Sequence, residues 1–162
     1  MKNWIPKAIA YLDKSLGKIP SELNEIDWKA TLSPNNNKLC RHIAAFSNLP
    51  GGGFLVFGVD DKTATLLGIT KSEADNIVER MASLCRDGVN PLVSIDHSIE
   101  TFREQELLFI HIKESAVKPV HINGQTIEES YIRSGGTTRK ASRQEIGALL
   151  LNSKSPTWEE LH

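Results

Sequence analysis

Three consecutive glycines mark the point in the chain that most limits its fold. Gly51-Gly52-Gly53 separates a segment with apolar residues at helical spacing, residues 39–46, from an unbroken apolar run at 54–59. The first pattern predicts an amphipathic helix, and the second predicts a central strand covered on both faces. Glycines between them favour a tight turn with positive φ angles. A helix packed over a buried strand implies a layered domain of helices and sheet.

Further helices are predicted on both sides of this pair. Apolar spacing predicts one helix over residues 4–16, and Ser33-Pro34 supplies an N-cap and a first-turn proline for the helix before the glycines. Thr70 to Glu73 and Ser142 to Glu145 have the spacing of capping boxes and predict two more helices.

Strands are predicted between the helices. Residues 25–30 alternate polar and apolar, which places Asp27 and Lys29 on the face opposite to Ile26 and Trp28. One hairpin is predicted to join 92–102 to 107–112 through the charged residues 103–106. A second hairpin is predicted from 131–133 to 137–139, around two glycines.

These elements predict an α+β fold, a mixed central sheet flanked by helices, in one domain. A chain of 162 residues suits one domain of ordinary size. We expect an N-terminal helix over 1–18, the main domain over 19–151, and a tail or truncated linker over 152–162. We also expect one hydrophobic core, formed by nine apolar residues: Ile26, Trp28, Ile43, Phe46, Leu55, Phe57, Ile77, Met81 and Ile110.

Several function classes are excluded by what the sequence lacks. No apolar run approaches the roughly 20 residues of a membrane helix, and no signal peptide is evident, so we expect a cytoplasmic protein without a membrane partner. Cys40 and Cys85 show neither CxxC spacing nor a Cys/His cluster, and the histidines, His42 among them, are interpreted as incidental. The glycine run follows a helix and precedes a strand, the reverse of a phosphate-cradling loop, which argues against ATP binding in this domain.

Charge is segregated along the chain although its formal net value is only -1. Residues 22–27 contain three acids and no base, whereas residues 131–143 contain four bases and no acid. Hydroxyl groups and glycines accompany those bases, a composition that favours contact with nucleic-acid phosphates over the alternative, an ordinary solvated face. The predicted nucleic-acid-binding residues come from this segment and from the acid-free helix before the glycines: Lys38, Arg41, Arg133, Arg139, Lys140 and Arg143.

Carboxylates near strand ends suggest a catalytic site. Asp27 and Lys29 share one strand face, which sets a cation beside a candidate metal ligand, and Asp60 follows the apolar strand. Mg²⁺ and Mn²⁺ prefer one or two carboxylates together with water and substrate phosphate. The alternative for these residues is an exposed edge strand with ordinary solvated charges.

The order of the motifs resembles the Schlafen-type, Alba-like (AlbA_2) domain family over roughly residues 20 to 150. The matching residues are Glu22, Asp27-Trp28-Lys29, residues 43–48, Gly51-Gly52-Gly53, Gly58-Val59-Asp60, Gly68-Ile69, Pro119, residues 131–135, Thr137, Ala141-Ser142 and Glu145-Ile146. The resemblance implies an Alba-like arrangement and metal-dependent RNA cleavage by three acids, which by motif position are Glu22, Asp27 and Asp60. Asp27 stands where Glu is commoner, so its carboxylate is displaced by about 1.5 Å, the length of one methylene.

The leading hypothesis is therefore a nucleic-acid-processing domain, a Mg²⁺- or Mn²⁺-dependent endonuclease that favours RNA over DNA. Glu22, Asp27 and Asp60 are the predicted metal ligands and catalytic residues, and Lys29 is predicted to stabilise developing charge. The alternative is a non-catalytic module that tethers a transcriptional regulator to DNA. By family analogy alone we expect a role in antiviral defence or stress. RNA or DNA is the expected partner; a C-terminal domain beyond this chain and a homo-oligomer are left open.

Overall fold

The computed structural model describes residues 1–17 and 23–154, which contain both helices and strands. Outside the described residues lie the predicted boundary at 18, Glu22 and the end of the tail, 155–162. The helices are α1 (Ile5–Ser15), α2 (Asn36–Asn48), α3 (Lys71–Asp87) and α4 (Arg143–Leu151), with a 3-10 turn at Ile127–Glu129. The strands are β1 (Ile26–Lys29), β2 (Gly53–Phe57), β3 (Val89–Asn90), β4 (Ile95–Phe102), β5 (Gln105–Ile112), β6 (His121–Ile122), β7 (Tyr131–Ser134) and β8 (Thr137–Lys140).

Four of the strands form a mixed central sheet in the order β1-β2-β5-β4. β1 runs parallel to β2, whereas β5 is antiparallel to both of its neighbours, β2 and β4. The predicted α+β fold with a mixed sheet is confirmed. β1 lies at one edge of the sheet, so one side of its backbone is open to other parts of the chain.

Two hydrophobic cores lie on the two faces of this sheet, and the prediction of one core is wrong. Side chains alternate along β2, so Leu55 and Phe57 pack with α2 and α3, whereas Phe54 and Val56 pack with α1. Seven of the nine predicted core residues lie in the first cluster. Ile26 lies in the second cluster, with Trp28 packed against it and partly exposed.

The helix starts agree with the predictions except at α2. Both capping boxes are present, at Thr70 with Glu73 and at Ser142 with Glu145. The N-cap of α2 is Asn35 instead of Ser33, because the Asn35 side chain accepts a hydrogen bond from the backbone N–H of Lys38 at 3.1 Å. Ser33 Oγ instead accepts from the Asn35 N–H, one step before the helix.

The turn between α2 and β2 uses its glycines as predicted. Gly51 and Gly52 have φ angles of 83° and 70°, in the region that favours glycine. Gly53 begins the strand, and a Cβ there would collide with the ring of Phe46. The glycines therefore allow α2 to pack closely over the strand that follows it.

The β4–β5 hairpin has a shorter turn than predicted. The expected four-residue connection is reduced to Arg103-Glu104, since Gln105 and Glu106 pair with Phe102 and Thr101. Arg103 and Glu104 have φ angles of 47° and 69°. The second predicted hairpin is present, as β7 and β8 around Gly135-Gly136.

The β7–β8 hairpin lies beside the central sheet, against α2. Buried Asn48, near the end of α2, joins them: its Nδ2 donates to the carbonyls of Val120 and Tyr131 at 3.0 and 2.9 Å. Its Oδ1 accepts from Val120 N–H at 2.7 Å. These contacts hold the hairpin next to the edge strand β1 and create a cleft between them.

Candidate functional site

A cleft of about 550 Å³ runs along the open edge of β1. Its walls come from five parts of the fold: the end of α1, β1, α2, the loop 61–64 and the β7–β8 hairpin. The side chains that line it are mixed in charge and include hydroxyl groups: Ser15, Asp27, Trp28, Lys29, His42, Asp61, Lys62, Thr63, Arg133, Thr137 and Thr138. Such a volume is typical of pockets that bind small molecules or parts of larger ones.

Asp27 and Lys29 lie side by side in this cleft, as their spacing on one strand face predicts. The ammonium of Lys29 is 3.6 Å from Asp27 Oδ2 and 3.7 Å from Asp61 Oδ2, so it stands between two carboxylates. Asp27 Oδ1 accepts a hydrogen bond from the backbone N–H of Trp28 at 3.0 Å. All three charged groups are partly exposed, so a ligand arriving from solvent can compete for them.

Asp60 is turned toward its own loop. Its Oδ1 accepts from the N–H groups of Lys62 and Thr63 at 2.8 and 3.1 Å, and these bonds lower the pKa of the Asp60 carboxyl group. Asp61, its neighbour, is the acid that reaches the cleft. Glu22 lies outside the described residues, so the convergence of the three predicted metal ligands stays a prediction. Within residues 1–17 and 23–154, no three His, Cys, Asp or Glu side chains come together as a metal site.

His42 lies in the cleft, although its spacing in the sequence predicts no site. Its Nδ1 is 2.8 Å from Thr138 Oγ1 on the hairpin, and its Nε2 is buried with no hydrogen-bond partner in the described structure. Burial lowers the pKa of His42 to about 4, and nearby Lys29 adds to the effect while Asp27 opposes it. The imidazole is therefore neutral at pH 7. Its partner is 96 residues away in the chain, a separation that no local spacing reveals.

Arg133 differs from the other predicted phosphate contacts because it is only 6% exposed. Its guanidinium donates to the backbone carbonyls of Asn24, Leu23 and Ile26 at 2.9, 3.1 and 3.3 Å, just before and within β1. The guanidinium carbon also lies 4.5 Å from the ring centroid of Phe46. Arg133 thus joins the hairpin to the edge strand; it also lines the cleft, and its contact with phosphate stays a prediction.

The three other predicted bases of residues 131–143, two on the hairpin and one at the start of α4, are exposed, and each pairs with an acid from outside the hairpin. Arg139 makes a two-pronged contact with Glu145, at 2.8 and 2.7 Å. Lys140 donates to Glu129 at 2.9 Å, and Arg143 to Glu128 at 3.4 Å. The segment that lacks acids in sequence is partly neutralised in three dimensions, by α4 and the 3-10 turn.

The predicted bases of α2 are exposed as well. Arg41 lies with its guanidinium carbon 5.3 Å from the ring centroid of Tyr131. Lys38 borders a small cavity, about 20 Å³, that it shares with Asp27, Lys29 and His42. Lys62, which the sequence analysis did not select, is exposed at the cleft, and its ammonium makes no ion pair with the described residues. Positive charge therefore lies in the cleft, at Lys62, and in the adjoining small cavity, at Lys38.

The chain belongs to the Schlafen, AlbA_2 family, whose sequence model matches residues 22–142, well over half of the chain. The resemblance inferred from the ordered motifs is confirmed. A comparison with curated protein sequences gave no match.

Two solved structures show that the fold is shared at low sequence identity. One is the DIP2311 protein from Corynebacterium diphtheriae, with a TM-score of 0.57 and 19% identity over 91% of this chain. This chain spans only 29% of that protein. The other is the N-terminal domain of a putative ATP-dependent DNA helicase RecG-related protein from Nitrosomonas europaea, with a TM-score of 0.56 and 20% identity, covering 83% of this chain and 92% of that domain.

None of the helices in the described part of the chain is long and apolar enough to span a membrane.

Proposed function

We propose that this chain is a nucleic-acid-binding and nucleic-acid-processing domain whose cleft along β1 holds the phosphodiester backbone. The observation that carries the proposal is the placement of Asp27 and Lys29 in one open cleft, with the ammonium 3.6 Å from the carboxylate. Lys29 and Lys62 supply positive charge for phosphate, and the hydroxyls of Thr137 and Thr138 supply hydrogen bonds. A cleft at the edge of a β-sheet suits a segment of a nucleic-acid strand that enters it. A flat basic face would suit such a segment less well.

The finer proposal is cleavage of that backbone with Mg²⁺ or Mn²⁺. Asp27 and Asp61 are the described carboxylates that flank Lys29 in the cleft, and Glu22 and Asp60 are the ligands that the family resemblance implies besides Asp27. Two carboxylates satisfy these ions when substrate phosphate and water complete the shell. When bound, such an ion lowers the pKa of a coordinated water and neutralises charge on phosphate. In this proposal, Lys29 holds the phosphate oxygen on which negative charge develops.

Two comparisons support the coarser part of this proposal. Membership of the Schlafen, AlbA_2 family agrees with a role in nucleic-acid metabolism. One structural neighbour is the N-terminal domain of a protein described as a putative ATP-dependent DNA helicase RecG-related protein. Its identity of 20% supports the shared fold, and the connection to DNA is an analogy.

A non-catalytic nucleic-acid-binding module is the second candidate, and a specific observation favours it. Lys29 occupies the space between Asp27 and Asp61, and Asp60 accepts two hydrogen bonds from its own loop. Carboxylates used in this way maintain the shape of a binding cleft without holding a metal. Both candidates require the cleft to bind nucleic acid, and only the first requires a divalent cation.

Incubation with labelled RNA and with single- and double-stranded DNA, in Mn²⁺ or in EDTA, tests both. We expect cleavage that requires Mn²⁺ and is lost in Asp27→Asn, whereas binding of the substrate is retained or becomes tighter because a negative charge is removed. Glu79→Gln, an exposed acid of α3 away from the cleft, is the matched control and should cleave normally.

The outcomes separate the candidates. The binding module would be favoured over the nuclease if the chain binds nucleic acid without cleaving it. In that case binding should be unchanged in Asp27→Asn and weakened in Lys29→Met. If none of the nucleic acids binds, both candidates are overturned.

A further inference from the structure

Trp28 lies in the cleft, and neither phosphate binding nor metal binding there requires it. Its indole Nε1 donates to Ser15 Oγ at 3.1 Å, and Ser15 Oγ donates in turn to the carbonyl of Leu12 at 2.9 Å. The polar atom of the ring is thereby satisfied on α1. The side chain packs against the second core cluster yet stays partly exposed, where it lines the cleft. What it offers a ligand is therefore aromatic carbon surface.

Trp28 shares the cleft with groups that suit a nucleotide. Lys29 and Lys62 bring positive charge to one end of the cleft, and Gly136, Thr137 and Thr138 line the hairpin wall. Aromatic rings that interleave with cations along a groove are the usual means of binding single-stranded nucleic acid, because every base has a π face to stack.

We propose that the cleft binds an unpaired nucleotide of a single strand, with its base stacked on Trp28 and its phosphate near Lys29 and Lys62. This inference rests on the proposed function and adds a substrate class to it. A base inside a duplex is stacked on both faces and does not present a face to a protein ring, unless unstacking energy is supplied. The volume of about 550 Å³ also suits one nucleotide better than the full width of a duplex.

Fluorescence of Trp28 reports the stacking directly. The chain has three tryptophans, so Trp4→Phe with Trp158→Phe leaves Trp28 as the only indole. This variant is titrated, in EDTA to prevent cleavage, with single-stranded oligouridine, the same length of double-stranded RNA, an abasic strand that keeps the phosphates, and uridine monophosphate. We expect quenching by oligouridine, weak quenching by the mononucleotide, and none by the duplex or the abasic strand.

Affinity measurements on the otherwise unchanged chain complete the test. Trp28→Leu should bind oligouridine about 5- to 150-fold more weakly, the loss expected for one stacked base, and should bind the abasic strand as the wild type does. Trp28→Phe keeps an aromatic ring, so its affinity for oligouridine should lie between those of the wild type and Trp28→Leu. That order would show that the loss of affinity is not a folding defect. The melting temperature of each variant is measured alongside.

Two results would overturn the inference, and they differ from each other. One result is equal affinity for single strand, duplex and abasic strand, with no quenching of Trp28. It would mean that the cleft binds phosphate and that no base stacks on Trp28. Failure of every nucleic acid to bind would remove the proposed function together with this inference.

Discussion

His42 shows at the residue scale how a tertiary contact changes a side chain's chemistry. Burial between α2 and the hairpin lowers its pKa to about 4, below the value near 6.5 of an exposed histidine. Between those two pH values the unfolded chain binds a proton that the folded chain does not. The contribution of His42 to stability is therefore complete above about pH 6.5 and is lost as the pH falls toward 4.

The first prediction follows from this difference. In urea unfolding of the wild type, the free energy of unfolding should decrease as the pH is lowered from 7.5 to 4.5. His42 should account for up to about 3 kcal/mol of this decrease. His42→Gln cannot titrate, so its stability should depend less on pH in the same window. Identical pH dependence in the two proteins would mean that the imidazole is not held neutral by the fold.

At the scale of elements, the β4–β5 turn contains a conformation that its residues do not favour. Arg103 and Glu104 both have positive φ angles, and a side chain in the left-handed region costs about 1–2 kcal/mol per residue. Arg103 has compensation, an ion pair with Asp13 at 2.7 Å and a cation–π interaction with Phe102. For Glu104 no such interaction offsets the cost among the described residues.

We therefore expect Glu104→Gly to stabilise the protein by roughly 0.5–1 kcal/mol, since the relief of strain exceeds the added entropy of glycine in the unfolded chain. The midpoint of thermal unfolding measures this change. Arg103→Gly is the comparison: it relieves similar strain but removes the interactions with Asp13 and Phe102, so it should gain less or lose stability. A lower melting temperature for Glu104→Gly would contradict the prediction.

The basic β7–β8 hairpin and the start of α4 give a second prediction at this scale. If Arg139, Lys140 and Arg143 bind phosphates, neutralising any one of them should reduce the salt slope of nucleic-acid binding by about 0.7–0.9. The variants Arg139→Gln and Lys140→Gln avoid new repulsion with Glu145 and Glu129. Binding should weaken to a similar degree for unrelated sequences, because groups that bind phosphates do not read bases.

The acid partners supply the control for the hairpin. Glu129→Gln removes the ion pair that holds Lys140 at 2.9 Å, so it should tighten binding and steepen the salt slope. If the Arg139→Gln and Lys140→Gln variants bind as strongly as the wild type, and Glu129→Gln has no effect, the nucleic-acid surface lies elsewhere on the protein.

At the scale of the whole molecule, Phe46 joins three parts of the structure. It is fully buried in the first core cluster, its ring fits against Gly53, and its face supports the guanidinium of Arg133. Arg133 in turn connects the hairpin to the edge strand that forms the cleft. Removal of this ring affects both the main core and the wall of the site.

We expect Phe46→Ala to lower the free energy of unfolding by about 3–5 kcal/mol, the usual cost of removing a buried phenyl ring. Phe46→Leu keeps most of the volume but no longer supports the Arg133 guanidinium, so it should cost less and should still weaken binding in the cleft. Denaturant unfolding and nucleic-acid affinity are measured on both variants. An unchanged melting temperature for Phe46→Ala would contradict the assignment of this core.

Local chemistry makes several features of this protein readable from its sequence. Capping boxes at Thr70 and Ser142, the Gly51-Gly52 turn and the alternation around Asp27 depend on neighbours a few residues away, and each is present in the structure. The ordered motifs likewise identify the family. The mixed sheet follows because short helices and strands of this pattern bury their apolar faces in few ways.

The cleft, by contrast, was decided by tertiary structure. The segregation of charge along the chain does not reveal that Glu145 and Glu129 return to pair with Arg139 and Lys140, or that Arg133 is buried under Asn24 and Ile26. The role of His42 depends on Thr138, which only the packing of the hairpin on α2 brings within 2.8 Å. The two cores also separate only when the sheet is assembled, since a sequence shows the period of a strand without showing which helix covers each face.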